Sequence, residues 1–385
     1  MYYTRQLENN ILTGLSNNPV TAIIGPRQCG KSTLAKQIIY LTKADVIFLD
    51  LEKPSDLQKL DHAEWFLSSL KGKLICLDEI QRKPELFPLI RSLVDEWQGT
   101  GHFLILGSAT RDLIQQSSES LAGRITYKEL TPFLYSEIKN SFSMEDYLVK
   151  GGFPRSVLQS DDLLSFEWRE DFITTFLERD LVQWSGFSTE TMRKLWRMIA
   201  HINGQTVNYS VLASSLGVSA VTVKNYIDLL ASTFMIRVLP PFVSNYGKRL
   251  IKSPKIYLND TGIANALLGI KTFEELTSHP SVGAAWETLV FSNLKGLYPK
   301  ANYYYFRTSN GAEIDIIMEY LGKTIAIECK VGTTPSLTKG NYNVIGYLSP
   351  HKTFVVAPVQ NGWPVQPDIN VVNLEELFSH LKQIF

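Results

Sequence analysis

The stretch that decides the fold is Gly25-Pro26-Arg27-Gln28-Cys29-Gly30-Lys31-Ser32-Thr33. It matches the pattern G-x-x-x-x-G-K-[ST], follows the apolar run of residues 20–24, and precedes a segment with helical spacing of apolar residues. In this context the loop N–H groups and the start of the helix bind phosphates. We therefore predict that residues 25–33 bind a nucleotide, with Lys31 on the β- and γ-phosphates and Ser32 on Mg²⁺.

A second motif supplies the other half of a hydrolysis site. The apolar residues 74–77 are followed directly by Asp78 and Glu79. A buried strand here would deliver Asp78 to the Mg²⁺ ion and place Glu79 where it can polarise an attacking water. Behind a phosphate loop at this spacing, the pair predicts a nucleotide hydrolase.

Composition narrows the class of protein. The chain has 385 residues, 44% hydrophobic and 20% charged, which predicts two or three globular domains. Its formal net charge is zero, so contact with nucleic acid would require a local basic patch. The three cysteines form no C-x-x-C pair and no long apolar segment occurs, so we expect a cytoplasmic protein without a membrane span.

A third run of mainly apolar residues, 102–107, is followed directly by Ser108. With this order of motifs the chain resembles the AAA+ ATPases, and the resemblance implies that ATP is the nucleotide and that Ser108 is a sensor of the γ-phosphate. It also implies an arginine acting in trans, for which we favour Arg124 over Arg111, with a structural salt bridge of Arg124 as the alternative. A trans arginine implies a homo-oligomer, a ring of about six subunits by family resemblance.

The particular residues of the motifs narrow the resemblance to one group of AAA+ proteins. The sequences Gly-Pro-Arg-Gln-x-Gly-Lys-Ser-Thr, Leu-Asp-Glu-Ile-Gln and Leu-Ala-Gly-Arg are similar to those of bacterial and archaeal AAA-type ATPases with a C-terminal DUF4143 region. The resemblance implies a helical lid after the ATPase core, in which Arg155 would be either a second sensor or part of an ion pair.

The middle of the chain predicts a winged helix-turn-helix. Residues 212–230 read as two helices separated by a glycine-centred turn, and residues 235–239 read as a strand. The exposed positions of the second helix include a single cation, Lys224, which weakens a DNA-binding interpretation. Residues 246–255 contain four cations, and we interpret them either as a DNA-contacting wing or as a solvated loop.

The C-terminal part predicts a second chemistry. Residues 303–307, 312–319 and 323–330 read as three strands, which bring Asp315, Glu328 and Lys330 to one face. Two carboxylates and a lysine would bind Mg²⁺, with Lys330 activating water or stabilising charge on phosphorus. The arrangement resembles the PD-(D/E)xK nuclease fold, and the resemblance implies that Glu287, on the preceding helix, also binds metal.

Together these features predict an α/β chain with four domains. They are a P-loop AAA+ core with a parallel sheet (1–140), a helical lid (141–190), a winged helix-turn-helix (191–255) and a restriction-endonuclease-like α/β domain (256–385). The predicted function is ATP hydrolysis that remodels or processes DNA, with Mg²⁺-dependent nuclease activity open. The alternative is a nucleotide-dependent switch that binds DNA or a protein, in which the nuclease-like domain is a silent scaffold.

Overall fold

The structure is a computed structural model that describes residues 2–107, 117, 119–180, 188–242 and 250–385. It divides into two compact units, residues 1–133 with 232–234, and residues 134–231 with 235–385. The predicted site residues Ser108 and Arg111, and the cations Lys248 and Arg249, lie outside the described residues. Within the described ranges, no helix has the length and apolar character needed to cross a membrane.

The first unit is built on a parallel sheet of five strands in the order β2-β3-β4-β1-β5. Its strands are β1 (Val20–Ile24), β2 (Val46–Asp50), β3 (Leu74–Asp78), β4 (Phe103–Gly107) and β5 (Ile125–Glu129). Its helices are α1 (Glu8–Asn17), α2 (Lys31–Thr42), α3 (Pro54–Lys59), α4 (Ala63–Ser68) and α5 (Leu86–Trp97), with a 3₁₀ turn at Ile80–Arg82. This confirms the predicted parallel sheet.

The sheet of the first unit is buried on both faces because consecutive side chains of a strand point in opposite directions. In β3, Ile75 and Leu77 pack into one apolar cluster, whereas Leu74 and Cys76 pack into another on the opposite face. A continuous apolar run is therefore what this strand needs. Asp78 is the residue at which β3 ends, so the strand delivers it to the carboxyl edge of the sheet.

The second unit begins with helices and a small antiparallel sheet. The helices are α6 (Tyr135–Ile138), α7 (Met144–Lys150), α8 (Pro154–Val157), α9 (Asp162–Thr175) with a π-helical turn at Phe176–Asp180, α10 (Thr189–His201), α11 (Tyr209–Leu216) and α12 (Ala220–Ser232). The sheet has the order β6-β8-β7, formed by β6 (Gln205–Thr206), β7 (Ile236–Leu239) and β8 (Lys255–Leu258).

The predicted helix-turn-helix is formed by α11 and α12. Gly217 ends α11 in the left-handed conformation with φ 67°. The Ser219 hydroxyl accepts the backbone N–H of Thr222 at 3.0 Å, which satisfies a free donor at the start of α12. Strands β7 and β8 pair after these helices and supply the wing.

The chain ends in a mixed sheet of six strands in the order β13-β14-β12-β11-β10-β9. The strands are β9 (Asn302–Arg307), β10 (Glu313–Tyr320), β11 (Lys323–Cys329), β12 (Lys352–Val356), β13 (Trp363–Gln366) and β14 (Ile369–Val372). The remaining helices are α13 (Thr261–Leu268), α14 (Phe273–Thr277), α15 (Val282–Leu297), α16 (Lys339–Leu348) and α17 (Leu374–Ile384). The predicted mixed α/β architecture of this part is confirmed.

The prediction for residues 246–255 is wrong at Lys255, whose side chain is buried in the wing strand β8 and faces neither solvent nor DNA. Lys255 is the first residue of β8, paired with Thr206 and Leu239, and its side chain is 2% exposed. The carboxylates of Glu287 and Asp315, which are far away in the sequence, neutralise its charge. The predicted domain boundary at 255/256 therefore falls inside a strand.

Candidate functional site

The phosphate loop joins β1 to α2 and needs glycine at two points. Gly25 has φ 153°, and a Cβ atom there would lie 2.2 Å from the backbone oxygen of Leu130. Gly30 has φ 100° and precedes Lys31, the first residue of α2. The Lys31 ammonium donates to the carbonyl oxygens of Gly25 at 3.1 Å and of Pro26 at 2.8 Å. The loop is therefore curled around its own lysine, as a phosphate cradle requires.

The predicted loop residues contribute in different ways. The side chain of Cys29 is fully buried, and its Sγ lies 3.5 Å from the carbonyl oxygen of Leu130. Burial raises the pKa of its thiol, so Cys29 can offer a nucleotide only its backbone. Gln28 has a left-handed backbone with φ 60°, and Thr33 is exposed in the first turn of α2.

Arg5 supports the loop, and the sequence interpretation missed it. Its side chain is 4% exposed, and its guanidinium donates to the carbonyl oxygens of Cys29 at 3.1 Å, Thr131 at 2.6 Å and Pro132 at 3.3 Å. The same group lies 4.6 Å from the ring centroid of Phe133. Arg5 thus fixes the middle of the phosphate loop to the segment that follows β5.

Ser32 and Asp78 meet where α2 begins and β3 ends. The Ser32 side chain lies close to the Asp78 carboxyl, which is 5% exposed. Burial raises the pKa of Asp78, and the nearby Ser32 side chain opposes that effect. A hydroxyl and a carboxylate oxygen are hard ligands of the kind that Mg²⁺ prefers, so these residues fit the ion that the predicted reaction needs.

Glu79 is held beside this pair by its backbone and by Gln81. Its φ of 57° is left-handed, a conformation uncommon for glutamate, and its N–H donates to the Asp78 carboxyl at 3.0 Å. Gln81 Nε2 donates to Glu79 Oε2. The sequence interpretation gave Gln81 no role, although it stands two residues after the predicted base. The contact orients the Glu79 carboxylate.

Arg124 lies at the amino ends of the parallel strands, whereas the phosphate loop lies at their carboxyl ends. It directly precedes β5, and its carbonyl oxygen accepts the N–H of Val20, where β1 begins. Its guanidinium forms a two-pronged ion pair with Asp95, at 2.5 Å from Nε and 2.9 Å from Nη2. Arg124 therefore lies away from the phosphate loop of its own chain. Arg155 is exposed on α8, and the sensor roles of Arg155 and Ser108 stay predictions.

The C-terminal part brings the predicted acidic residues together. The backbone N–H of Cys329 donates to Asp315 at 3.0 Å, which fixes the Asp315 carboxylate beside the end of β11. The Lys330 ammonium lies 2.7 Å from Glu328. Glu287, on α15, joins them in what we call the carboxylate cluster, defined by Glu287, Glu313, Asp315 and Glu328.

A lysine that the sequence interpretation placed elsewhere lies inside this cluster. The Lys255 ammonium contacts Glu313 at 2.6 Å, Glu287 at 3.0 Å and Asp315 at 3.3 Å. Tyr257, two residues further along β8, donates its hydroxyl to Glu287. The local sequence offered no signal for these contacts, since their partners are 30 to 60 residues away.

Burial sets the protonation of the carboxylate cluster. Burial, with the nearby charge of Asp315, raises the pKa of Glu287 to about 7 and that of Glu328 to about 8. Burial alone would lower the pKa of Lys255, but Glu287, Asp315 and Glu313 outweigh it and raise that pKa. Lys255 is therefore charged at neutral pH, whereas Glu328 is largely neutral.

The carboxylate cluster does not fit the predicted Mg²⁺ ion. No set of three or more His, Cys, Asp or Glu side chains among the described residues is arranged to hold a metal. Glu287 Oε1 and both carboxylate oxygens of Asp315 instead accept bonds from Lys255, Tyr257 and Cys329.

The outer face of α12 shows little positive charge. Lys224 is exposed there, together with the acidic Asp228 and with Val221, which is 69% exposed. Helices that read DNA usually carry several cations for phosphate contacts. This surface is mixed and partly apolar.

Three family models match consecutive stretches of the chain. A model described as an AAA domain matches residues 17–139, and two domains of unknown function match residues 141–274 (DUF8612) and 282–377 (DUF4143). Uncharacterized protein Rv2008c of Mycobacterium tuberculosis is 37% identical over 366 residues, covering 95% of this chain and 82% of that protein. The chain belongs to this AAA-domain and DUF4143 family. The resemblance stated from the motifs is confirmed.

Less similar proteins were also found. Uncharacterized protein MJ1637 of Methanocaldococcus jannaschii is 23% identical over 370 residues, covering 82% of this chain and 76% of that protein. A Thermotoga maritima RuvB Holliday junction branch migration motor is 22% identical with a TM-score of 0.29, covering 61% of this chain and 86% of that chain.

Proposed function

We propose that the protein is a Mg²⁺-dependent ATP phosphohydrolase that couples ATP turnover to the restructuring of DNA. The ATPase part of the proposal is carried by one observation. The phosphate loop and the end of β3 converge, so that the Ser32 side chain lies close to the Asp78 carboxyl, which accepts the backbone N–H of Glu79. Ser32 and Asp78 are 46 residues apart in the sequence, and their convergence at the carboxyl end of the sheet supports the proposal.

Each residue has a defined task in this reaction. Lys31 and the loop N–H groups bind the β- and γ-phosphates, and Ser32 with Asp78 would hold Mg²⁺, which supplies charge neutralisation. Glu79 accepts a proton from the attacking water, and Gln81 orients its carboxylate. The left-handed backbone conformation of Glu79 keeps its carboxylate at the end of β3.

Arg124 acts on the γ-phosphate of a neighbouring subunit in this proposal, because it lies at the wrong edge of the sheet for its own site. The ion pair with Asp95 would then release or share its guanidinium when subunits associate. The active form is accordingly a homo-oligomer.

The DNA part of the proposal rests on the helix-turn-helix, and a second candidate function competes with it. The exposed face of α12 pairs one cation with one acid and presents Val221 to solvent, a composition that favours a protein partner. In that case the protein is a nucleotide-dependent switch, with the nuclease-like domain as a scaffold.

Steady-state ATP turnover with and without DNA separates the two candidates. A motor that restructures DNA should turn over ATP several-fold faster with linear, forked or four-way DNA, and raised salt should weaken this effect. Lys224→Ala should reduce the stimulation and leave basal turnover unchanged. Equal turnover with every DNA would reject the DNA part, and turnover by Glu79→Gln at the wild-type rate would reject the ATPase mechanism.

A further inference from the structure

We propose that Lys255 is the resident cation of the carboxylate cluster, so that this nuclease-like site is an ion-pair clamp and not a divalent-metal site. The clamp joins the start of β8, which carries Lys255, to Asp315 on β10 and Glu287 on α15. This inference goes beyond the proposed function and does not depend on ATP hydrolysis.

The Lys255 ammonium has no capacity left for other partners. An ammonium group has three N–H donors, and here three carboxylates lie within ion-pair distance of it, at 2.6 Å for Glu313, 3.0 Å for Glu287 and 3.3 Å for Asp315. Its side chain is 2% exposed. A cation this enclosed is stable only because its charge is matched by these partners.

The backbone holds Lys255 in this place from both sides. Lys255 pairs with Thr206 of β6 on one edge and with Leu239 of β7 on the other. The ring of Tyr305 lies 5.6 Å from the ammonium, and the Tyr305 hydroxyl donates to the carbonyl oxygen of Ser253. Moving Lys255 out of the cluster would therefore require β8 to leave its sheet or the side chain to give up all three carboxylates.

The oxygens of the cluster are largely committed to protein donors. Asp315 Oδ2 accepts the N–H of Cys329 at 3.0 Å, and Glu328 Oε1 accepts from Lys330 at 2.7 Å. Glu328 Oε2 has no hydrogen-bond partner within the described part of the chain. It offers an ion a single oxygen, whereas Mg²⁺ needs an octahedral shell that includes several waters.

The net charge of the carboxylate cluster also argues against a bound divalent ion. The four carboxylates of the cluster face three cations, since Arg307 lies 3.4 Å from Glu313 in addition to Lys255 and Lys330. At most one negative charge is left over, and a divalent ion added to this set would leave it positive. Metal-binding nuclease sites need an excess of negative charge around the ion.

Thermal unfolding of the full chain, without metal or nucleotide, tests the clamp. Asp315→Asn keeps the shape and the acceptor for Cys329 but removes one charge partner of Lys255, so the clamp predicts a Tm lowered by several degrees. An unfilled metal site predicts the reverse, because removing one of several repelling carboxylates would raise the Tm. Glu319→Gln, on the same strand, is the matched control and should leave the Tm unchanged. An unchanged or raised Tm in Asp315→Asn overturns the proposal.

Mn²⁺ binding, followed by electron paramagnetic resonance on the nucleotide-free protein, tests the exclusion of metal. Wild type and Asp315→Asn should bind Mn²⁺ equally. Lys255→Met should gain a site that a second change, Asp315→Asn, removes, whereas the exposed control Lys252→Met should gain none. Asp315-dependent Mn²⁺ binding by wild type overturns the proposal, as does a folded Lys255→Met that gains no site. If Lys255→Met does not fold, the Tm of Asp315→Asn decides.

Discussion

Replacing Arg5 by alanine tests whether the phosphate loop is held by a residue outside its motif. Arg5 donates to Cys29 in the loop and to Thr131 and Pro132 after β5. The alanine variant removes these donors from a buried position and leaves three carbonyl oxygens without them. We expect weaker nucleotide binding and a less stable first unit.

The size of the effect follows from the contacts. Nη2 serves both Thr131 and Pro132, so we count two effective hydrogen bonds from a charged donor, worth about 1.5–3 kcal/mol each. The stacking on Phe133 adds about 1 kcal/mol, and release of the guanidinium from its buried position offsets part of the total. A net loss of about 3 kcal/mol should lower the Tm of the first unit by roughly 10 °C.

Nucleotide affinity reports on the loop itself. Losing the bond to Cys29 removes about 1.5 kcal/mol of support from the binding-competent loop, the lower end of that range, which corresponds to a roughly tenfold rise in Kd. Titration with a fluorescent ATP analogue measures this value. Lys36→Ala, which removes an exposed cation from α2, is the control and should match wild type. An Arg5→Ala variant with the affinity and Tm of that control would refute the reasoning.

Three further predictions concern the same unit. Gly25→Ala should weaken nucleotide binding by roughly tenfold or more, since its Cβ would lie 2.2 Å from a backbone oxygen. Gly72→Ala is the control, because Gly72 has φ 89° in open space, and it should not weaken binding. Equal affinities of the two variants would contradict this prediction. Steady-state kinetics test the roles of Glu79 and Gln81. Glu79→Gln should bind ATP normally and turn it over about 100-fold more slowly. Gln81→Ala should lower kcat by about tenfold with little change in KM. Arg124→Ala mixed with Glu79→Gln should recover activity at shared interfaces, and no recovery would remove Arg124 from the reaction.

The parts of the site that could be predicted are those that one short segment determines. The phosphate loop, its glycines and the helix after it are contiguous, and a buried strand that ends in Asp78 requires only an apolar run and an acid. Gln81 belongs to the same class, since it stands two residues from Glu79 and could have been proposed as its partner. Local chemistry and local backbone geometry agree at these positions.

The parts that could not be predicted depend on contacts between distant segments. Arg5 reaches carbonyl oxygens 24 to 127 residues away, and nothing in its local sequence marks it as buried. Lys255 stands in a run of four cations, for which a solvated loop is the ordinary interpretation. Its burial depends on acids that the chain supplies 32 to 60 residues later.

The position of Lys255 changes what the C-terminal region can contribute to the proposed ATPase. Nuclease chemistry requires carboxylates that are free to hold a metal, whereas those of this cluster hold a strand. That strand, β8, lies next to the helix-turn-helix. Two isolated β-bridges connect the segment between β7 and β8 to the mixed sheet: Pro241 pairs with Tyr305 of β9, and Leu250 pairs with Thr308, the residue after β9. A clamp that ties the wing to the mixed sheet favours their moving together. The nuclease-like fold would then act as a rigid support for the winged helix, and its acids would be needed for stiffness even if they never touch a phosphate.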